Sequence, residues 1–149
     1  MKPAVDSVDA LSVSADPNEV RRASAWLERI CLERGVSAEQ TRRLDLCLNE
    51  TLANIIAHGG PTARSSPVHL QFRFHRKPGA NEAELSVSDT GIAFDPLAFQ
   101  PKPSPQTLSE AEPGGLGLIM MRSNADGMSY RYSEGWNQLT FRVCWTETG

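Results

Sequence analysis

The chain is predicted to fold as an α+β two-layer sandwich, a mixed, mostly antiparallel sheet covered on one face by helices. Three observations predict it. Residues 16–35 and 37–58 repeat apolar side chains at the 3.6-residue spacing of amphipathic helices. Five short stretches, within 8–15, 68–75, 83–88, 128–132 and 139–145, alternate apolar and polar residues as half-buried strands do. Turn residues at 77–81 and 134–137 join two pairs of these stretches, so the strands read as hairpins.

Each element has its own signal. Leu11, Val13 and Ala15 alternate in the first strand. Asp16 can cap the first helix, Pro17 suits its first position and Glu19 can close a capping box. Val20, Ala23, Leu27, Ile30 and Cys31 form its apolar stripe, and Gly35 ends it. Ser37 and Gln40 form a second capping box, opening a helix whose stripe is Leu44, Leu48, Leu52, Ile55 and Ile56. Gly59-Gly60-Pro61 stops that helix, and 61–66 read as a polar loop. Val68, Leu70, Phe72 and Phe74 make a strand, Lys77 to Asn81 a turn, and Ala83, Leu85 and Val87 the hairpin partner. From Phe94 to Pro113 the chain is rich in Pro, Ser and Gln without periodicity, too long for an ordinary connection; residues 95–113 read as a lid or a disordered segment. A glycine-rich run then leads into an apolar helix ending near Asp126-Gly127. The last hairpin carries Met128, Tyr130 and Tyr132 on one arm and Leu139, Phe141, Val143 and Trp145 on the other.

Composition narrows the function. A chain of 149 residues, 40% hydrophobic and 22% charged, fits one globular domain over 1–149. A net charge of −3 argues against a nucleic-acid binder held by phosphate neutralisation. No apolar run is long enough to span a bilayer, and MKPAVDSVDA at the N-terminus has no signal-peptide core, so a cytoplasmic protein is expected. Cys31, Cys47 and Cys144 form no CxxC pair and read as small reduced core residues. Trp26, Trp136 and Trp145 fill core or edge positions, and His69 and His75 fall on the polar face of a strand.

Three constellations carry chemistry. Glu50 and Asn54 stand one turn apart on the edge of the second helix's apolar stripe. There a carboxylate offers a base for a hydroxyl and a carboxamide offers a neutral oxygen to a hard cation such as Mg²⁺; a solvated helix flank has the same spacing. Asp89, at the end of a strand, can accept hydrogen bonds from an amine such as that of adenine, and Gly91 would let a flat ring approach the backbone; a plain turn also fits. Gly114-Gly115-Leu116-Gly117-Leu118 precedes a helix, whose free N–H groups suit phosphate, and a hinge would have the same composition.

Taken in order, Glu50-x-x-x-Asn54, Asp89-x-Gly91-x-x-Phe94 and Gly114-Gly115-x-Gly117-Leu118 resemble the N, G1 and G2 boxes of the ATPase superfamily of gyrase, histidine kinases and mismatch-repair proteins. The resemblance is nearest to the bacterial anti-sigma-factor serine/threonine kinases, with His58 eight residues after Glu50 and Asp95-Pro96 continuing the second box. It covers nearly the whole chain and implies the histidine-kinase-like (GHKL) ATPase fold. It also implies residue roles: Glu50 the general base, Asn54 the Mg²⁺ ligand, Asp89 the adenine reader and Gly91 the close-approach position. Nucleotide contacts would extend to Phe94, Gly114, Gly115, Leu116, Gly117 and Leu118, with ATP or ADP and Mg²⁺ as cofactors. The implied function is an anti-sigma factor that phosphorylates an anti-anti-sigma (STAS-type) partner and otherwise holds a sigma factor, with homodimerisation open. The alternative is a nucleotide-dependent partner switch without kinase turnover; a regulatory domain cut from a larger phosphatase or sensor is a weaker third. Two positions depart from the pattern: Ala93 stands where a second glycine is common, and Lys102 is the one evident basic residue of the lid.

Overall fold

The computed structural model describes residues 6–97 and 115–146. Five strands and four helices follow in the order β1 (Asp6–Val13), α1 (Pro17–Arg34), α2 (Ala38–His58), α3 (Gly60–Arg64), β2 (Val68–Lys77), β3 (Ala80–Asp89), α4 (Gly115–Asn124), β4 (Gly127–Ser133) and β5 (Trp136–Trp145). From residue 98 the expected lid lies outside the described residues, and so does Gly114. The sheet order is β1-β2-β3-β5-β4, and every pairing among the described strands is antiparallel. The antiparallel part of the expected sheet therefore accounts for all of it.

Alternation puts one face of each central strand into the core. Register aligns Phe72 with Leu85 and Leu85 with Phe141, while Leu70, Val87 and Leu139 form the next row. Phe72, Leu85 and Phe141 have no exposed surface, and Leu27 and Ile30 of α1, Leu44 and Leu48 of α2 and Met121 of α4 join them in one cluster. Each such side chain contributes roughly 1.5–3 kcal/mol by leaving water. The opposite sheet face is polar, with a Ser86–Thr140 hydroxyl pair at 2.8 Å and His69 bonded to Ser12 at 2.8 Å and stacked on Trp136.

Several details differ from the sequence reading. Asp16 caps α1 by accepting from Asn18 N–H at 2.8 Å, but the Glu19 carboxylate turns to Ser14 N–H and Arg22. Ser37 caps α2 through Gln40 N–H at 3.3 Å, while the Gln40 side chain accepts from Arg43. Both capping boxes are thus half-formed: Asp16 N–H donates instead to Ser14 O at 2.8 Å, and the Gln40 side chain is drawn to Arg43. The polar loop expected at 61–66 holds most of α3; Pro61 supplies a helical φ near its start and Ala63 buries a methyl group. Cys31 and Cys47 are buried as expected, whereas Cys144 is exposed. It alternates along β5 with buried Val143 and so falls on the other face of the sheet, which corrects its assignment to the core. The final turn is tighter than expected. Glu134 and Gly135, at φ +52° and +85°, form a two-residue hairpin loop, so Trp136 and Asn137 belong to β5 and not to the turn.

Candidate functional site

The C-terminal half of α2, the end of β3, the loop after it, α4 and the β4–β5 hairpin enclose a crevice of about 290 Å³. From α2, Asn54 and His58 line it beside Thr51 and Ile55. Asn54 is half-buried, and its carboxamide makes no hydrogen bond with any described residue. Glu50, one turn earlier, lies outside the crevice lining. Its carboxylate rests against the first turns of α4, where a Cβ on Gly117 would run into Oε2.

The approach of α4 to α2 is fixed by polar contacts inside an apolar interface. Thr51 Oγ1 donates to Cys47 O at 2.7 Å and lies 3.5 Å from Met121 Sδ, and Cys47 Sγ donates to Met121 O at 3.8 Å. Burial pushes the Cys47 thiol up to about 12, so it keeps the proton it donates. One turn toward the α2 N-terminus, Arg43 Nε donates to Asn124 O at 2.8 Å, and its guanidinium pairs with Asp126 at 3.1 Å.

Asp89 closes the other side. It ends β3 directly opposite Asn137, and both are buried. Asp89 Oδ1 accepts from Gly91 N–H at 2.8 Å and from Asn137 Nδ2 at 3.3 Å. Burial pushes the carboxyl above the usual carboxylate range, and these two donors partly offset it. The described bonds all fall on Oδ1, so Oδ2 is the oxygen left to a guest in the crevice that Asp89 lines. Asn137 does more than hold Asp89. Its Nδ2 also faces Gly91 O at 3.1 Å and Ile92 O at 3.2 Å, while its Oδ1 accepts from Phe94 N–H at 3.3 Å and from the Tyr130 hydroxyl.

The loop that follows is pinned to the chain leaving α2. Thr90 Oγ1 donates to Thr62 O at 2.8 Å and Ile92 N–H to Gly59 O at 3.1 Å. Ile92, Phe94 and Pro96 then line the crevice, and Ala93 is exposed. Leu97 N–H donates to Asp95 Oδ1 at 2.9 Å, and Arg122 of α4 donates to Leu97 O at 3.0 Å, tying the start of the expected lid to α4.

The sequence-predicted residues divide accordingly. Asn54, Asp89, Phe94 and Leu118 meet in the crevice lining, Gly91 supports its floor beside Asp89, and Glu50 meets Gly117 at its side. Gly115 opens α4, and the Leu116 side chain lies outside the described residues. Asn137, Tyr130 and Arg43 escape the sequence reading. The pairing of β3 with β5 could have found Asn137, but only with the hairpin loop set at two residues. Chemically, the lining is mostly apolar and can take a flat ring, with the buried Asp89 carboxylate able to accept from an amine and the Asn54 carboxamide not used by any described residue.

The sequence model of a family described as "Histidine kinase-like ATPase domain" matches residues 13–143. The serine/threonine-protein kinase BtrW of Bordetella bronchiseptica is 36% identical over 132 residues, 89% of this chain and 90% of that protein. The serine-protein kinase RsbW of Listeria innocua is 26% identical over 129 residues, 84% of this chain and 80% of its own. Among solved structures, the RsbU and RsbW domains of Rv1364c from Mycobacterium tuberculosis superpose with a TM-score of 0.66 at 16% identity, over 92% of this chain and 32% of that one. That likeness shows the fold.

Proposed function

The chain belongs to the histidine kinase-like ATPase domain family, and from that premise we propose that it is a single-domain serine/threonine protein kinase and anti-sigma factor. It binds ATP or ADP in the crevice and phosphorylates an anti-anti-sigma (STAS-type) partner, and in the other state it holds a sigma factor. The observation that carries the reading is the buried Asp89 carboxylate, fixed by Asn137 and Gly91 N–H and turned toward an apolar crevice. Asp89 accepts from the exocyclic amine of adenine, and Gly91 keeps the backbone low beneath the ring. The α4 N-terminus, opened by Gly115, offers its N–H groups to the phosphates.

Asn54 fits a magnesium ion shared with a nucleotide, because it lines the crevice and its oxygen is not used by a described residue. Bound there, the ion would offset the charge of the triphosphate. Glu50 takes the proton from the incoming serine or threonine hydroxyl as it attacks the γ-phosphorus, and the departing ADP remains in the crevice. The site acts in the cytoplasm on protein partners and not on nucleic acid; among the described residues no helix is long and apolar enough to cross a membrane. Homodimerisation is compatible with this reading.

The test is direct. Purified protein, Mg²⁺ and γ-labelled ATP are incubated with candidate anti-anti-sigma proteins, and label is expected on a partner serine or threonine. Calorimetry should show nucleotide binding that Asp89→Ala weakens by about 1–3 kcal/mol. No binding by the wild type, or equal binding by the variant, overturns the reading. Binding without transfer to any partner would favour a nucleotide-dependent partner switch without turnover.

A further inference from the structure

We propose that Gly117 is the positioning residue for Glu50: its bare α-carbon leaves the space in which the carboxylate sits against α4. The inference rests on the kinase reading for its consequence and on packing for its basis. Gly117 is buried in a helix, and its φ does not lie in the left-handed region. Backbone conformation therefore does not require glycine there, and glycine is among the least favourable helix residues. Space does require it. A Cβ at this position would run into Glu50 Oε2 and stand 3.3 Å from Glu50 Cδ.

The two backbones cannot easily part to make room. Met121, one turn after Gly117, accepts from Cys47 and packs on Thr51, and Asn124, two turns after it, accepts from Arg43. An added methyl group is thus met by the flexible end of Glu50, which swings away while the helices stay. Gly117 does not line the crevice, so the nucleotide's base pocket is untouched. The glycine of this run then serves the placement of a base, and not only the approach of phosphates.

Two measurements test this. In equilibrium denaturation, Gly117→Ala should raise the midpoint in a Glu50→Ala background, where the helix gain is unopposed, and raise it less or lower it when Glu50 is present. Additive effects overturn the proposal. In kinetics, Gly117→Ala should lower kcat by about 10²-fold with KM for ATP changed by less than about 3-fold. Glu50→Asp, one methylene shorter, should restore part of the lost kcat in the Gly117→Ala protein. Full kcat in Gly117→Ala, or an equal loss of nucleotide affinity, also overturns it. If the wild type transfers no phosphoryl group, the kinase reading fails, and the denaturation cycle still decides whether Gly117 places Glu50.

Discussion

Gly59 and Gly91 meet backbone to backbone: a Cβ on Gly91 would stand 3.0 Å from both Cα and O of Gly59. Gly59 caps α2 and Gly91 lies in the loop after β3, so this contact sets how closely the helix bearing Asn54 approaches the strand bearing Asp89.

Gly91→Ala should therefore open the crevice at its base. The new methyl group would also stand 2.8 Å from Asp89 Oδ1 and compete with the Gly91 N–H that holds it. We expect a stability loss of about 1–3 kcal/mol, as for other overpacked sites, together with weaker nucleotide binding. Thermal unfolding and calorimetry measure the two. Unchanged affinity would show that the contact does not set the crevice.

Asn137→Ala removes a side chain whose carboxamide serves Asp89, Gly91, Ile92, Phe94 and Tyr130 together. Leaving buried partners unpaired costs about 1–3 kcal/mol. Nucleotide affinity should fall too, since Asp89 loses a donor and the loop bearing Phe94 loses its anchor. Asn137→Asp separates the two effects: it keeps the shape but sets a second carboxylate beside Asp89, and it should bind nucleotide worse than Asn137→Ala. Chemical denaturation and titration with ADP give both numbers.

Much of this architecture was legible in the sequence because apolar periodicity reports burial directly. The stripe of α2 predicts Leu44, Leu48, Leu52 and Ile55 in the core, and the alternation of β2 predicts Leu70, Phe72 and Phe74, as found. Pairwise competition is not written in periodicity. Glu19 and Gln40 have the spacing of capping boxes, yet Asp16 N–H is taken by Ser14 O, and Gln40 turns to Arg43. Asn137 was hidden for a related reason. Glu134-Gly135-Trp136-Asn137 has a turn composition, and only the left-handed backbone of Glu134 and Gly135 shortens the loop and carries Asn137 into register with Asp89. Asp89 itself was found by its motif, whereas its fixed orientation comes from across the sheet.

Acidification should act on Asp89 in two opposing ways. Burial raises its carboxyl above the value in the unfolded chain. Its contribution to stability is therefore fully present below the unfolded carboxyl range and is lost as pH rises through the folded value. As pH falls through that window the wild type should gain stability relative to Asp89→Asn, which has no carboxyl to titrate there. Nucleotide affinity runs the other way, because protonation removes an acceptor, so it should begin to fall above the ordinary carboxylate range. ADP titrations from about pH 8 to about pH 4 check this, and the Asp89→Asn profile should lack that component.

Glu50 and Asn54 share a helix edge but face different surroundings, so their losses should differ. Asn54 lines the crevice, and Asn54→Ala removes an oxygen available to a cation; Mg²⁺-dependent ATP binding and transfer should weaken together. Glu50 lies against Gly117, outside the crevice lining. Glu50→Gln keeps its size and hydrogen bonding and removes the base, so ATP binding should survive while transfer falls by roughly 10²-fold or more. Partner capture should persist in Glu50→Gln, because it depends on the bound nucleotide and not on turnover. Calorimetry with and without Mg²⁺, set beside single-turnover transfer to the partner, separates the two residues. Full transfer by Glu50→Gln would move the base to another residue, with His58 in the crevice lining the next to test.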